Sequence, residues 1–242
     1  MHLLLTRPDP GPDADPLALA LIAAGHRITH APLLTVHTVG KLPSLAGVQG
    51  FIATSRNGLK AVAPLPEHAQ SLPLLAVGPG TGELGRELGF RQVIEGPGTG
   101  RELAEIIRET IDPGAGALVH LAAETLAFDL KGALAGDGFE VRTEVVYRTD
   151  PVSTLPADAT TALRDHRIDG VVLMSPRTAR VYAKLAADGG LVAETRKVVH
   201  FCLSDAVARE LCPLGTVKTV VARLPNSQEM LALIAREASD SV

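Results

Sequence analysis

Short apolar runs alternate with amphipathic stretches along almost the whole chain. Most runs span about four to eight residues and are rich in Val, Leu and Ile, which is typical of strands buried on both faces of a sheet. The predicted strands are His2–Thr6, His26–Ala31, Gly50–Thr54, Leu74–Val77, Arg91–Glu95, Ala117–Leu121, Phe139–Tyr147, Gly170–Met174, Val198–Leu203 and Val217–Ala222.

Between these runs, apolar residues recur at the three- and four-residue spacing of amphipathic helices. The predicted helical stripes contain Leu17, Ala20, Leu21 and Ala24; Leu103, Ile106, Ile107 and Thr110; Leu126, Leu130 and Leu134; and Met230, Leu233 and Ile234. Because strands alternate with helices, the pattern predicts an α/β fold with parallel sheets covered by helices.

Several segments of the chain recur in a second copy. GFIATSRN is similar to GVVLMSPR, AVGPGTG to CLSDAVA, and GTGRELAEIIRE to NSQEMLALIARE. A fourth pair is out of order, because LALALIAAGHRI, which ends at Ile28, is similar to LKGALAGDGFEV, which ends at Val141. The first part of one copy therefore lies near the N-terminus, and its remaining parts lie after residue 150.

This order of segments predicts two domains. One is continuous, residues 40–146, and the other joins residues 1–34 to residues 152–242. The chain crosses between them at residues 35–39 and 147–151, and two crossings in opposite directions can pair as a two-stranded antiparallel ribbon. We expect each domain to be a flavodoxin-like, doubly wound parallel sheet, with a ligand in the cleft between the domains.

In doubly wound sheets, ligands bind where strands end and the following helices begin. Helix N-termini present unpaired N–H groups there, which bind carboxylates or phosphates together with hydroxyls. The candidate residues are Arg7, Thr54, Ser55, Arg56, Asn57, Gly78, Gly80, Thr81, Arg148, Ser175, Arg177 and Ser204. The alternative is that the Ser and Asn residues serve only as helix N-caps and that the arginines only solvate the surface.

Composition narrows the chemistry. The 242 residues are 46% hydrophobic and carry a formal net charge of −4, which is typical of a globular protein with no general attraction to nucleic acid. Two cysteines and eight scattered histidines form no disulfide framework and no metal-ligand motif, so we expect no metal. There is no apolar run of about 18 residues and no basic leader at the N-terminus, so we expect a cytoplasmic protein.

One motif suggests a different function. Gly80-Thr-Gly82-Glu-Leu-Gly85 matches GxGxxG after a predicted strand, and Glu95 ends the next strand, where an acid that binds a ribose could lie. The helix after the motif is short for a dinucleotide-binding fold, and the strand before it is not the first of its domain. The corresponding repeat segment, Ser204–Val207, has no glycines. We therefore expect no nucleotide cofactor.

The motifs and their order resemble those of the uroporphyrinogen-III synthase family. The matching segments are TRP at residues 6–8, IATSRNGLKAV, AVGPGTGELGRELG, VVYRTDP, VVLMSPRTARVY and FCLSDAVAREL, in family order across nearly the whole chain. The resemblance implies an enzyme of tetrapyrrole biosynthesis, a lyase that closes linear hydroxymethylbilane with inversion of ring D and loss of water. It also implies two α/β domains joined by a two-stranded ribbon, and a reaction that needs no metal or cofactor.

The resemblance also assigns roles to individual residues. Tyr147 matches the tyrosine of the family's VYR segment, which makes it the candidate to assist departure of the hydroxyl group as a hydrogen-bond donor or general acid; the alternative is a tyrosine that packs on the hinge. Thr81 matches the loop threonine that would bind a substrate carboxylate. By the same resemblance, the residues expected to bind carboxylates are Ser55, Arg56 and Asn57 in one domain and Arg7, Ser175 and Ser204 in the other.

The sequence departs from the family pattern in two loops. Val207 stands where many members have Thr, and Ser204-Asp205 stands for Gly-Pro. The segment His120–Thr125 lacks an arginine that relatives often carry. The competing hypotheses are an inactive two-domain ligand-binding or regulatory protein and a nucleotide-dependent oxidoreductase that uses Gly80–Gly85. We expect a monomer that binds the tetrapyrrole substrate. Neighbouring pathway enzymes are the only other candidate partners, and we expect no binding to nucleic acid or membranes.

Overall fold

The computed structural model describes residues 1–7 and 15–239. Its strands are β1 His2–Leu5, β2 Arg27–His30, β3 Leu34–Thr38, β4 Val48–Ala53, β5 Leu74–Ala76, β6 Val93–Glu95, β7 Ala117–Ala123, β8 Val141–Pro151, β9 Gly170–Leu173, β10 Val199–Cys202 and β11 Lys218–Val221. Each predicted strand overlaps one of these, and the α/β class is confirmed.

Helices fill most of the segments between the strands, as the alternating pattern predicts. They are α1 Pro16–Ala23, α2 Arg56–Val62, α3 Glu67–Gln70, α4 Pro79–Glu87, α5 Gly100–Thr110, α6 Leu130–Ala135, α7 Ala157–Arg164, α8 Pro176–Asp188, α9 Val192–Thr195, α10 Asp205–Arg209 and α11 Ser227–Ser239. Two short 3-10 helices lie at Pro113–Ala115 and Cys212–Leu214.

The chain divides into two compact units. Unit 1 consists of Met1–Thr35 and Asp150–Val242, and unit 2 is Val36–Thr149. The sheet of unit 1 has the strand order β11-β10-β9-β1-β2, and all of its neighbouring strands are parallel.

The sheet of unit 2 has the order β3-β8-β7-β4-β5-β6. Its five strands β8, β7, β4, β5 and β6 are parallel to one another. The sixth strand, β3, corresponds to the crossing between domains that the sequence predicts at residues 35–39. It lies beside β8, and just beyond its end the Val39 N–H donates to the Val146 carbonyl at 2.9 Å.

Each sheet is covered on both faces, because successive side chains of a strand point to opposite sides. In unit 1, Leu3 and Leu5 pack with α1 and α11, whereas Leu4 packs in the cluster that contains residues of α7 and α8. In unit 2, Ile52 packs with α5 and α6, and its neighbours in β4 pack with α2 and α4. This double burial explains why the central strands are almost entirely apolar.

One helical prediction is wrong at its first residue. The stripe that begins at Leu126 enters a helix only at Leu130, and Leu126 is exposed in the preceding loop. The physical reason is the cap at Asp129, whose side chain accepts a hydrogen bond from the Gly132 N–H at 3.0 Å and so fixes the start of α6.

Candidate active site

The predicted site residues lie mainly where parallel strands end. In unit 2, the segment Thr54–Asn57 follows β4, Gly78–Thr81 follows β5, and Tyr147 and Arg148 lie in β8. In unit 1, Arg7 lies just beyond β1, Ser175 and Arg177 follow β9, and Ser204 follows β10. Pro8 of the TRP segment lies outside the described residues. Since the strands are parallel, the carboxyl ends within a unit share one edge of its sheet.

A cavity of about 430 Å³ lies at this edge of unit 2. Its wall combines apolar and polar groups that follow β4 to β8. The lining residues are Thr54, Val77, Gly98, Thr99, Gly100, Arg101, His120, Ala123, Thr125, Leu126, Ala127, Phe128 and Tyr147. Of the predicted site residues, the cavity brings together Thr54 and Tyr147.

A hydrogen bond at the cavity joins two neighbouring strands. The Thr54 hydroxyl lies 3.1 Å from Nε2 of His120, which is paired with Ile52 in the register of β4 and β7. His120 is 1% exposed, and burial lowers its pKa to about 4. The imidazole is therefore neutral at physiological pH and contributes hydrogen-bonding capacity without charge.

Tyr147 lies directly after an irregularity in the sheet. The register advances from Ala122 opposite Val145 to Ala123 opposite Tyr147, so Val146 is an extra residue on β8. Val146 and Tyr147 are both buried, at 1% and 7% exposure, so the irregularity lies within the packed part of the sheet. A bulge of this kind re-aims a side chain, and here the re-aimed phenol lines the cavity.

A glycine permits the chain to approach this bulge closely. A Cβ atom at Gly40 would lie 2.6 Å from the Val145 carbonyl oxygen and 2.9 Å from the Val146 Cα. The N–H groups of Val39 and Gly40 both donate to the Val146 carbonyl, at 2.9 and 3.2 Å. These contacts hold the extra residue in place.

The serine hydroxyls at the other strand ends are used differently. Ser55 caps α2 by accepting from the Asn57 N–H at 3.1 Å, and Ser175 caps α8 by accepting from the Thr178 N–H at 3.1 Å. Both serines therefore cap helices, which is compatible with either hypothesis for these residues. Ser204 occupies the same position before α10, but its side chain makes no capping bond.

The remaining candidates differ in how they are engaged. The Arg7 guanidinium forms an ion pair with the buried Asp15 at 3.1 Å. The Nε atom of Arg56 is buried and has no hydrogen-bond partner among the described residues. Thr81 is 6% exposed in the first turn of α4, and its N–H donates to the Gly78 carbonyl at 3.1 Å.

The glycines of the GxGxxG segment have packing roles. A Cβ atom at Gly82 would collide with the Glu95 carboxylate, and one at Gly85 would collide with Leu74. Glu95 in turn is paired with Arg86 at 2.7 Å. These contacts explain two of the three glycines through the packing of α4 against β5 and β6.

Sequence reasoning missed several residues of the cavity. His120 lies inside β7 and reads as a core position, and Thr99, Arg101 and Phe128 follow β6 and β7. The rule that ligands bind at strand ends, applied to β6 and β7 as well, would have found the last three. Within residues 1–7 and 15–239, no group of three or more His, Cys, Asp and Glu side chains is placed to hold a metal ion. No helix in that part of the chain is both long and apolar enough to span a membrane.

Two solved structures are similar in fold to nearly the whole chain. The fold is similar to the crystal structure of a uroporphyrinogen-III synthetase from Helicobacter pylori, with a TM-score of 0.67, 14% identity, and coverage of 98% of this chain and 99% of that one. A mutant uroporphyrinogen III synthase from Thermus thermophilus gives a TM-score of 0.52 at 16% identity, with 99% of each chain covered. Comparison of the sequence with curated proteins gives no match.

A family comparison covers most of the sequence. The model described as uroporphyrinogen-III synthase HemD matches residues 15–232, which include all of unit 2 with its cavity and most of unit 1. The chain therefore belongs to the uroporphyrinogen-III synthase family.

Proposed function

We propose that this chain converts hydroxymethylbilane to uroporphyrinogen III, as a cyclising hydro-lyase of tetrapyrrole biosynthesis. The family match over residues 15–232 carries the proposal. The cavity of unit 2 supports it, since it combines a buried tyrosine, neutral hydrogen-bonding groups and one cation at the sheet edge where α/β proteins bind ligands.

In the proposed reaction, the C–O bond of the substrate's hydroxymethyl group breaks and the oxygen leaves as water. Tyr147 assists by donating its phenolic hydrogen bond or proton to the departing oxygen, which leaves an azafulvene cation. The substituted carbon of ring D attacks that cation to form a spiro intermediate. Fragmentation and reclosure at the other ring D carbon then release a proton and give the type III macrocycle, so the net change is the loss of one water.

The contribution of the protein is conformational and electrostatic. Without the enzyme, linear hydroxymethylbilane closes directly to the symmetric type I isomer. The protein must therefore hold the tetrapyrrole in the geometry that leads to the spiro intermediate. We propose that Thr54, Arg56, Asn57, Gly78, Gly80, Thr81 and Arg148 of unit 2 and Arg7, Ser175, Arg177 and Ser204 of unit 1 bind substrate carboxylates. We propose the same role for Ser55, whose hydroxyl also caps α2 by accepting from the Asn57 N–H.

We also propose that the two units are separate flavodoxin-like domains joined by an antiparallel ribbon of β3 and β8. The hydrogen bond from the Val39 N–H to the Val146 carbonyl supports this within unit 2, and that from the Val152 N–H to the Leu33 carbonyl supports it within unit 1. As residue numbers rise on β3, those of its partners on β8 fall, which is the antiparallel relation. We propose a cytoplasmic monomer.

The test is the isomer ratio of the product. Purified protein is mixed with freshly generated hydroxymethylbilane without added cofactor, and the uroporphyrinogen isomers are separated after oxidation. We expect predominantly type III product, against type I in a parallel reaction with heat-denatured protein. Type I product alone, at the spontaneous rate, would contradict the synthase proposal and favour an inactive ligand-binding protein.

A further inference from the structure

The cavity of unit 2 has an unusual distribution of charge. Of its described lining residues, Arg101 is the charged one at neutral pH, because His120 is neutral and the remaining side chains are uncharged. No Asp or Glu is among the described residues that form its wall. The cavity therefore favours an anion, and Arg101 is the cation placed to bind it.

The wall around Arg101 is largely apolar and aromatic. The Arg101 guanidinium lies 5.6 Å from the centroid of the Phe128 ring, within the range of a cation–π contact. Val77, Leu126 and Ala127 add further apolar surface to the cavity lining. A simple inorganic anion would use none of these surfaces, whereas a flat ring that carries a carboxylate would use both the cation and the apolar wall.

A glycine next to Arg101 allows this arrangement. A Cβ atom at Gly100 would lie 3.0 Å from Cβ and 3.1 Å from Cδ1 of Phe128. The first turn of α5 can therefore approach the ring closely. The Thr99 hydroxyl is already engaged, since it donates to Glu102 Oε2 at 2.6 Å and accepts from the Glu102 N–H at 3.3 Å. Thr99 thus fixes the start of α5 and with it the position of Arg101.

His120, which lines the cavity, also carries an unpaired polar atom. Nδ1 of His120 is buried and has no hydrogen-bond partner in the part of the chain that the structure describes, although the residue is 1% exposed and lines the cavity. Buried polar atoms are normally paired, and a neutral imidazole nitrogen can donate or accept according to its tautomer.

We propose that this cavity is a subsite for one carboxylate-bearing pyrrole ring of the substrate, with Arg101 bound to the carboxylate, Phe128 against the ring and the neutral His120 in the wall beside it. The proposal deepens the proposed function and depends on it for the identity of the natural ligand. The volume of about 430 Å³ lies within the range of about 300–1,000 Å³ for small-molecule sites.

The first test compares two variants that each remove one positive charge from unit 2. Arg101→Gln removes the cation of the cavity, and Lys131→Gln removes an exposed cation of α6 that is not part of the lining. We expect Arg101→Gln to raise the KM for hydroxymethylbilane about tenfold with little change in kcat, because the lost contact binds the ground state and transition state alike. Lys131→Gln should leave both constants within about twofold of the wild type.

Two more variants address the shape of the site. Arg101→Lys keeps the charge but loses the planar fork, so it should recover part of the KM. Gly100→Ala leaves the charge unchanged and pushes Phe128 away, so it should raise KM by about threefold in a normally folded protein. Equal KM values for the wild type and Arg101→Gln would overturn the subsite even if the wild type makes the type III isomer.

A binding test separates the subsite from the proposed function. The probe is pyrrole-3-propanoate, with its methylamide as the uncharged control, and binding is followed by NMR of the His120 ring in protein labelled with ¹⁵N-histidine. We expect the acid to shift the His120 signals and bind about tenfold more weakly to Arg101→Gln than to Lys131→Gln. The amide should bind both variants equally. If the wild type lacks synthase activity but this dependence is found, the subsite stands; equal binding of the acid to both variants overturns it.

Discussion

Each unit has a row of five parallel strands, and the two rows correspond position by position. The strands at corresponding positions, however, come at different points along the chain. Unit 1 reads β2-β1-β9-β10-β11 across its sheet, and unit 2 reads β8-β7-β4-β5-β6. The last two strands of unit 2 thus occupy the places of the first two strands of unit 1. This relation accounts for the out-of-order repeat, since the segment ending at Ile28 leads into β2 and the segment ending at Val141 leads into β8.

The main difference between the units lies at these corresponding strands. β2 has four residues, all at least partly exposed, and lies at the edge of its sheet. β8 has eleven residues, is flanked by β3, and carries the irregularity at Val146. Because β8 is longer than β2 and is covered by β3, unit 2 has a buried tyrosine at a cavity. The candidate active site is therefore distinguished by one longer strand in a sheet that otherwise has the same arrangement as that of unit 1.

The largest effect is expected from the two tyrosines of the sequence, which lie one in each unit. Tyr147→Phe removes a phenol that lines the cavity and should lower kcat about a hundredfold, the lower end of the range for a general acid. Tyr182→Phe is the matched control, because its hydroxyl is fully buried in unit 1 with no partner among the described residues. It should leave kcat unchanged and the free energy of unfolding equal or higher.

The isomer assay and a urea unfolding curve for each variant measure this pair. Unchanged turnover in Tyr147→Phe would remove that residue from the chemistry and leave it as a packing residue. A comparable loss of activity in Tyr182→Phe would mean that the effect is not specific to the tyrosine at the cavity of unit 2.

The second prediction concerns a property that the units share. Burial lowers the pKa values of His120 in unit 2 and His200 in unit 1 to about 4. An unfolded chain takes up these protons as the pH falls through about 6.5, while the folded protein does not until about pH 4. The free energy of unfolding should therefore fall by about 2 kcal/mol per histidine between pH 7 and pH 5.

Urea unfolding at the two pH values measures this dependence. His120→Gln and His200→Gln should each remove about half of the contribution that the pair makes. If either variant keeps the full pH dependence, that histidine is protonated in the folded protein and its environment is more polar than the geometry indicates.

The third prediction tests the bulge. Gly40→Ala places a Cβ atom against the backbone of Val145 and Val146, which cannot yield as a side-chain tip can, and should cost about 1–3 kcal/mol in the free energy of unfolding. Displacement of Val146 also moves Tyr147, so kcat should fall more than KM changes. Gly136→Ala in the same unit is the control, because a Cβ atom there meets nothing within 4 Å. Equal activity in both variants would show that the position of Tyr147 does not depend on this contact.

The smallest effect is expected from the glycine motif. In Gly82→Ala the new methyl group displaces the flexible Glu95 side chain from Arg86, a partly exposed surface pair worth about 1 kcal/mol. Alanine also favours the interior of α4, so the melting temperature should hardly change. Titration with NAD and NADP should give no saturable binding to either protein, and tight binding that the variant loses would revive the oxidoreductase hypothesis.

The sequence predicts the sheets better than the site. Strands such as β1 and β4 are recognisable because both faces are buried, which leaves an almost unbroken apolar run. β3 has one buried residue and four with some exposure, so its pattern carries little signal until β8 is beside it. The extra residue at Val146 is invisible to periodicity, because a bulge alters alternation only after the pairing register is known.

The site shows the same limit. Thr54 follows from the rule for strand ends, and Tyr147 follows from the family resemblance. His120 lies within an apolar strand, and its hydrogen bond depends on the Thr54 hydroxyl, which lies 3.1 Å away just after β4. Arg101 gains its place from the close packing of Gly100 and Phe128, which are far apart in sequence and meet only in the fold.

The out-of-order strands also govern how the protein is made. In unit 1, Leu3 of β1 pairs with Gly170 of β9, so a ribosome releases this interior strand of the sheet long before its neighbour on one side exists. All of unit 2, from Val36 to Thr149, emerges in the interval and can fold as a continuous segment. During synthesis β1 and β2 must wait with an open strand edge, a site where nascent chains are prone to associate. Unit 2 can therefore complete its sheet before unit 1, whose sheet needs strands made both before and after it.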